Sequence, residues 1–214
     1  MKKYLGLLAL VIMIVNAGCT QAEPPKVNAA PEQNTAPATA PQDTPKETAK
    51  QQVTTNAEFA FTKADQHPEK ILIDVISSAK ETLDVAIHSI THPDIVAAIR
   101  DAKKRGVAVR VITDKTQSEG KAQGEALKIL GSAGIPMKIN SHSGLMHLKV
   151  TIADKKVVTT GSYNYSKAAS TTNDEVLVVI REEGAAKTFT DEFEKMWNDP
   201  KGFKPIEKKT AAKK

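Results

Sequence analysis

Between residues 57 and 140, the spacing of apolar residues switches repeatedly from strand-like alternation to a helical period. Four short runs have the pattern of strands: residues 57–62, 82–90, 107–113 and 135–140. Three segments between them have helical spacing, with prolines near two starts and glycines near two ends: residues 67–81, 91–106 and 118–134. This order predicts parallel strands joined by helical crossovers.

The rhythm changes after residue 146, where two β-rich runs follow each other with no space for a helix. Residues 147–154 and 155–162 meet around Asp154 and predict a β-hairpin. Residues 165–170 suggest a short helix. Residues 174–180 suggest a strand, whose continuous apolar centre suits burial on both faces.

Residues 185–199 predict an amphipathic helix after the last of these strands. Its apolar stripe would pack against the sheet and consists of Phe189, Phe193, Met196 and Trp197. The order of elements predicts parallel strands with helical crossovers, a hairpin, and helices on both faces of the sheet. The predicted fold class is therefore α/β, an α/β/α sandwich around a mixed, largely parallel sheet.

The first 18 residues have the features of an export signal: a basic start and an apolar run at residues 4–15, too short to be taken as a membrane span. Two forms of processing are compatible with them. Cleavage could follow Ala17, or Cys19, the only cysteine of the chain, could be lipidated and tether the protein to a membrane. An uncleaved anchor is a third alternative. Each one predicts an exported protein, either periplasmic or a membrane-anchored lipoprotein facing outside the cytoplasm.

Residues 19–55 are rich in Pro, Ala, Thr, Gln and Lys, and this composition predicts a disordered tether. The folded domain is predicted at residues 56–200, followed by a basic tail at residues 201–214. The net charge of +5 lies mainly in that tail, because residues 1–55 carry +1 and residues 201–214 carry +5, which leaves −1 for the folded domain. The tail could attract DNA, RNA or anionic lipid, but the folded domain has no overall basic character.

Candidate chemistry is concentrated at the start of the predicted hairpin, where His147 and Lys149 follow a loop. Residues two apart on a strand project from the same face, so the two side chains are expected to lie together. Lysine supplies a cation with three donors, and histidine can act as a base, an acid or a nucleophile. This pair suits a ligand with negatively charged oxygens, of which phosphate is the obvious candidate.

Further polar residues follow the hairpin. Ser162 and Asn164 come directly after Gly161 and offer a hydroxyl and an amide donor. Glu175 begins the next predicted strand, where its carboxylate could accept from one imidazole nitrogen and orient the other. Asp154 falls at the hairpin turn, seven residues beyond His147, and is interpreted as a structural residue.

Some of the remaining polar and aromatic residues have simpler interpretations. His88, on the second predicted strand, is expected to be buried or to line a cleft. Tyr163 and Tyr165 could stack on a base, but packing in the core is the favoured interpretation. His142 lies near His147 without Cys, His or carboxylate companions at metal-ligand spacing, so the sequence offers no convincing metal site.

The ordered pattern His-x-Lys-x4-Asp, then Gly-Ser-x-Asn and a downstream Glu, resembles the phospholipase D superfamily over residues 57–198. Its greatest similarity is to small exported bacterial endonucleases with one such motif per chain. The resemblance implies that His147 is the nucleophile and forms a phosphohistidine. Lys149 and Asn164 would hold the phosphate oxygens with help from Ser162, Glu175 would orient His147, and Asp154 would be structural. It implies no metal or other cofactor.

The motif occurs only once in the chain, and this predicts a homodimer. One imidazole bonded to phosphorus cannot also protonate the leaving oxygen, so a second acid is needed. A twofold axis through the cleft would supply it as His147 of a second copy. The leading hypothesis is an endonuclease acting on DNA or RNA. The alternatives are a phospholipase D acting on membrane phospholipids and a non-catalytic phosphate-binding module.

Overall fold

The computed structural model describes residues 56–206. The predicted signal peptide, Cys19, the predicted tether and residues 207–214 lie outside the described residues. The strands are β1 (Ala57–Phe61), β2 (Thr82–Ile87), β3 (Ala108–Thr113), β4 (Met137–Asn140), β5 (Lys149–Ala153), β6 (Val157–Gly161), β7 (Val176–Ile180) and β8 (Phe203–Pro205). The helices are α1 (Pro68–Ser78), α2 (Pro93–Lys104), α3 (Lys115–Glu119), α4 (Lys121–Ser132), α5 (Lys167–Thr171) and α6 (Glu183–Asn198), with a 3₁₀ turn at Thr62–Ala64. Within residues 56–206, every helix is too short or too polar to cross a membrane.

All of these strands form one mixed sheet in the order β1-β7-β6-β5-β2-β3-β4-β8. Strands β2, β3 and β4 are parallel neighbours, as the crossover pattern predicts. The other neighbours are antiparallel, because β5 inserts beside β2 and β1 pairs with β7 at the far edge instead of joining β2. The mixed α/β sheet is confirmed, although its parallel pairing is confined to these three strands.

Helices cover both faces of the sheet, which confirms the sandwich. On one face, buried residues of α1, α2 and α4 pack with Leu83, Val85 and Ile87 of β2. On the other face, Ala86 of the same strand packs with Phe193 of α6. The rest of the predicted stripe of α6 is partly buried against the same cluster. Alternation along β2 therefore divides the core into two layers.

Three local features differ from the sequence prediction. The predicted helix 118–134 is two helices, because Asp114 caps α3 by accepting from Gln117 N and the chain turns in extended conformation at Gly120. β7 is buried on one face only, since Val176 and its alternate neighbours are half-buried. β8 lies inside the segment assigned to the basic tail and pairs with β4, so the folded part continues beyond residue 200.

One end of the sheet collects the candidate chemistry. β2, β3 and β6 end there, while β5 and β7 start there, as the register Ile87↔Lys149 shows for β2 and β5. Residues that are far apart in sequence are brought together at this end. They include His88 after β2, Asp114 after β3 and Ser162 after β6.

Candidate active site

His147 and Lys149 lie in contact, as the sequence predicts, but only Lys149 belongs to a strand. His147 is exposed and lies in residues 141–148, a segment without regular secondary structure before β5. The Lys149 ammonium is 3.0 Å from His147 Nδ1 and 3.1 Å from Nε2, and it donates to the His147 carbonyl at 2.8 Å. The hydrogen bond from the Lys149 ammonium to the His147 carbonyl holds the cation against the imidazole, although His147 itself lies outside the strand.

Lys149 is a buried cation, only 7% exposed. Burial lowers the pKa of Lys149, and the negative charge of Glu175 partly opposes this shift. Within residues 56–206, the hydrogen-bond partners of its ammonium belong to His147 and include no carboxylate. A buried ammonium with such partners is suited to a bound anion, whose charge would replace the water lost on burial.

Gly161 fixes the geometry of the chain after β6. Its φ of 129° is a conformation that favours glycine, and a Cβ at this position would lie 2.2 Å from the carbonyl oxygen of Val176. Next to it, Ser162 Oγ donates to Glu175 Oε2 at 2.5 Å and accepts from Val176 N at 3.2 Å. The glycine thus allows β6 and β7 to approach closely and holds Ser162 at the sheet end.

Asn164 is half-buried in the loop between β6 and α5. Its Oδ1 accepts from Ser89 N at 3.3 Å, which leaves the Nδ2 donors for another acceptor. The flanking Tyr163 and Tyr165 are fully buried, which confirms their interpretation as core residues. The Tyr165 backbone also bonds to the segment after β2, where its N–H donates to Ser89 O at 2.9 Å. The two loops that carry Asn164 and Ser89 are therefore fixed to each other.

Glu175 does not make the contact that the resemblance implies. Its two oxygens accept from Ser162 Oγ and, at 3.1 Å, from Asn173 Nδ2, while the hydrogen bonds of residues 56–206 include none between Glu175 and His147. Glu175 instead bonds to Ser162 at the end of β6, the strand that lies between β5 and β7. Its effect on the site is electrostatic and acts on Lys149.

Asp154 lies at the opposite end of β5 from His147, in the hairpin turn. Asp154 and Lys155 have φ of 52° and 56°, as type I′ turns require. The carboxylate accepts from three consecutive backbone N–H groups, those of Lys80, Glu81 and Thr82, at 2.7–3.1 Å. This arrangement joins the turn to the start of β2 and agrees with a structural role.

Two residues beside His147 were not given a specific role by the sequence. The ring of His88 packs on that of His147 with centroids 4.5 Å apart. Burial lowers the pKa of His88; the negative charge of Asp114 opposes this shift, and the neighbouring Lys149 ammonium adds to it. Asp114 is fully buried and accepts from Met146 N at 3.0 Å. Its position directly after β3, at the end of a parallel strand, was the available signal.

The described residues give this end of the sheet no cluster of metal ligands. Across residues 56–206, His, Cys, Asp and Glu side chains do not gather in any group of three or more that could hold a metal ion. The groups available for chemistry are therefore an imidazole, an ammonium, an amide and a hydroxyl, which together can bind and attack a phosphate ester.

Comparison with known proteins identifies the class to which this fold and site belong. Residues 72–197 match a family model described as "Cardiolipin synthase, PLD-like domain". The solved structure of Nuc from Salmonella typhimurium, described as a phospholipase D family member, is 32% identical, with a TM-score of 0.65. That match covers 70% of this chain and 97% of Nuc.

Curated relatives point to the same class. The mitochondrial cardiolipin hydrolase of Chlamydomonas reinhardtii is 31% identical over 59% of this chain and 56% of its own length. A phospholipase D of Rickettsia bellii is 35% identical over 56% of this chain and 59% of its own length. The chain thus spans little more than half the length of these two relatives. It belongs to the phospholipase D superfamily.

Proposed function

We propose that this protein is a phosphodiesterase that cleaves nucleic acid as a non-specific endonuclease, with His147 as its nucleophile. The observation that carries the proposal is the exposed imidazole of His147 in contact with the buried ammonium of Lys149. The match to Nuc, a phospholipase D family member, extends over 97% of that protein and supports an enzyme that consists of this one domain.

The proposed reaction consists of two displacements at phosphorus. In the first, a ring nitrogen of His147 forms a bond to phosphorus while the bond from phosphorus to the leaving sugar oxygen breaks, and an acid protonates that oxygen. In the second, water forms a bond to phosphorus, the phosphorus–nitrogen bond breaks, and the conjugate base of the acid takes the proton of the water. One water is consumed, and no metal is needed. Lys149 and the Asn164 amide would hold the non-bridging oxygens, where negative charge accumulates.

The acid in the proposed reaction comes from a second copy of the chain. His88 is the nearest imidazole to His147 within one copy, but its ring packs directly on the nucleophile at 4.5 Å. A phosphoryl group between nucleophile and acid needs about 6 Å, since attack and proton transfer each span about 3 Å. His147 of a twofold-related copy could face the substrate from the opposite side, which makes a homodimer part of the proposal.

A phospholipase activity is the alternative that a specific observation favours. An apolar groove of about 410 Å³ lies between α6 and the sheet, with Leu148, Phe189 and Met196 in its lining. Such a groove could hold an acyl chain. However, Leu148 and Val150 line the groove, whereas Lys149 projects from the other face of β5. A lipid tail in the groove would have to bend around the sheet end to bring its phosphate to Lys149, so nucleic acid remains the first choice.

The two substrate classes can be separated in one assay. Purified full-length protein in EDTA would be incubated in parallel with plasmid DNA, RNA, phosphatidylcholine vesicles and cardiolipin vesicles. We expect nicking of the DNA or cleavage of the RNA, and loss of this cleavage in His147→Asn. The matched control His142→Asn changes an exposed histidine of the same segment and should retain activity. Cleavage of lipid alone would replace the endonuclease proposal with the phospholipase alternative.

We also propose that the protein acts outside the cytoplasm, tethered or released according to the processing of its first residues. The apolar run at residues 4–15, followed by Cys19, supports export. Mass spectrometry of the mature N-terminus after expression in a bacterial host distinguishes the outcomes. A diacylated Cys19 indicates a lipoprotein, a start at Gly18 indicates soluble export, and an intact Met1 in the cytoplasmic fraction contradicts the proposal.

A further inference from the structure

The candidate nucleophile lies in a segment that has no strand or helix to hold it. Residues 141–148 cross from β4 to β5 without regular secondary structure, and His147 is exposed near the end of this crossing. A nucleophile must be held in position, because a displacement of ~1 Å can reduce the rate by about 10²-fold. Other parts of the fold must therefore fix the backbone on each side of His147.

His88 contacts the chain on both sides of His147. Its backbone N–H donates to the Leu148 carbonyl at 2.8 Å. Its ring Nδ1 lies 3.3 Å from the Met146 carbonyl, and the ring itself packs on the imidazole of His147. The backbone carbonyls of the residues before and after the nucleophile are thus bonded to one residue, which also touches the nucleophile's ring.

The position of His88 is itself well determined. It directly follows β2 and is 9% exposed. The buried Gln123 accepts from Ile90 N at 2.8 Å and donates to Thr113 Oγ1 at 2.9 Å, while Thr113 Oγ1 donates to the Ile87 carbonyl at 2.7 Å. This buried network fixes the end of β2 on both sides of His88.

Asp114 completes the attachment from β3. Its Oδ2 accepts from Met146 N, while Oδ1 caps α3. The Met146 residue is therefore held at its N–H by Asp114 and at its carbonyl by His88, and its side chain is buried. The His88 bond is the part of this arrangement that depends on a side chain in contact with the nucleophile.

We propose that His88 is a positioning residue for His147: its Nδ1–H bond to Met146 fixes the segment, and its ring orients the nucleophile's imidazole. The inference rests on the proposed function of His147 as a nucleophile. Burial beside Lys149 lowers the pKa of His88, with Asp114 as the opposing charge, so His88 is neutral near pH 7. A neutral imidazole has one N–H, and the Met146 carbonyl requires it on Nδ1.

Two substitutions separate the functions of the side chain. His88→Phe keeps an aromatic ring against His147 but removes the donor to Met146. His88→Asn places an amide donor near the position of Nδ1 but removes the ring. His88→Ala removes both. His67→Asn is the control, because His67 is exposed with φ of 50°, a conformation that asparagine tolerates.

The first measurement is amide hydrogen exchange of Met146 in the full chain without substrate. The Met146 N–H donates to Asp114, so its exchange reports opening of the whole segment. Loss of the His88 bond to the Met146 carbonyl should ease this opening and speed exchange by about fivefold in His88→Phe, and His88→Asn should stay near the wild type. The second measurement is hydrolysis of bis(p-nitrophenyl) phosphate. We expect kcat to fall by about 10- to 100-fold in His88→Ala with KM changed less than about twofold, and a smaller loss in each single-function variant.

The outcomes separate this inference from the proposed function. If His88→Ala lowers the melting temperature but keeps the wild-type kcat per folded molecule, the role of His88 is purely structural and the inference is wrong. If the wild type hydrolyses no phosphodiester, the proposed function fails, and the exchange measurement alone decides whether His88 holds the segment. Unchanged Met146 exchange in His88→Phe would then reject the inference as well.

Discussion

The ammonium of Lys149 lies 3.0 Å from Nδ1 of His147, on a side chain that is almost completely buried while the histidine is exposed. Strand β5 fixes the position of Lys149, and the imidazole of His147 contacts its ammonium. This relationship places a positive charge where the phosphate of a substrate attacked by His147 would carry its negative oxygens. It also means that the chain tolerates an unfavourably buried charge at this position, which suggests that function requires it.

Replacement of Lys149 should therefore separate stability from activity. Burial lowers the pKa of Lys149, so the charged form destabilises the folded state at pH values below that lowered pKa. The penalty declines as pH rises from the lowered pKa towards the ordinary value of 10.5, above which the unfolded chain is also neutral at this position. Lys149→Met removes the penalty and keeps the volume. We expect a melting temperature at pH 7 equal to or above the wild type, with phosphodiesterase activity reduced by at least about 10²-fold.

Thermal unfolding at pH 7 and an assay with plasmid DNA measure both effects on the same preparation. Lys63→Met is a suitable control, because Lys63 is an exposed lysine of the 3₁₀ turn. A Lys149→Met protein that melts well below the wild type would show that the ammonium stabilises the fold.

Glu175 should control the charge state of Lys149. The negative charge of Glu175 raises the pKa of Lys149 against the effect of burial. Glu175→Gln keeps an oxygen for Ser162 but removes the charge, so the pKa of Lys149 should fall further. Because Lys149 must be charged to bind phosphate, the alkaline limb of the pH–activity profile should move to lower pH. Asp174→Asn, a change in the adjacent exposed carboxylate, should leave that limb in place.

Gly161 should be intolerant of any side chain. A Cβ would lie 2.2 Å from the Val176 carbonyl oxygen, so Gly161→Ala must separate β6 from β7 and displace Ser162. Gly106→Ala provides the comparison, since Gly106 also has a positive φ, of 97°, but has open space around it. We expect Gly106→Ala to cost about 1 kcal/mol in the free energy of unfolding and to keep its activity. Gly161→Ala should cost more and lose activity; equal effects in urea unfolding would contradict this.

Asp154 should matter for stability and not for catalysis. Burial opposes ionisation of Asp154, but bonds from the backbone of Thr82, Glu81 and Lys80 outweigh it and lower the pKa of its carboxyl. A depressed pKa contributes stability above the unfolded value, near 3.8, that is lost as pH falls through the folded value. Asp154→Ala should lose about 2 kcal/mol at pH 7, and the loss should shrink as pH falls below 3.8. Folded Asp154→Ala should retain its kcat, and a large loss would assign Asp154 a second role.

Much of the fold could be predicted from the sequence because its local patterns agree with its tertiary structure. The crossovers of β2, β3 and β4 and the apolar stripe of α6 follow directly from periodicity. The strand order could not be predicted, since the pairing of β1 with β7 joins segments about 120 residues apart and no local pattern specifies it. The same limitation concealed β8, three residues in a lysine-rich stretch that pair with β4.

The candidate site shows the same division between local and long-range information. The contact of His147 with Lys149 could be predicted from their spacing, although only Lys149 lies on a strand. Glu175 bonds to Ser162 at the end of the neighbouring strand β6, and the order of β5, β6 and β7 that sets this pair could not be predicted from local spacing. The contact of His88 with His147 depends on the insertion of β5 beside β2, which the crossover pattern did not reveal.

The proposed dimer makes a quantitative prediction for mixtures of subunits. If one His147 attacks phosphorus and the second copy's His147 protonates the leaving oxygen, a mixed dimer of wild type and His147→Asn lacks one of the two groups and should be nearly inactive. After subunit exchange at equal amounts, about a quarter of the dimers contain two wild-type copies, so about a quarter of the activity should remain. Independent sites would retain about half of the activity.

Unfolding and refolding the two proteins together ensures exchange, and sedimentation velocity gives the mass of the active species. His142→Asn subunits serve as the control for dilution. Activity that falls only in proportion to the wild-type fraction, or an active species with the mass of one chain, would contradict the shared site and require another acid within a single copy.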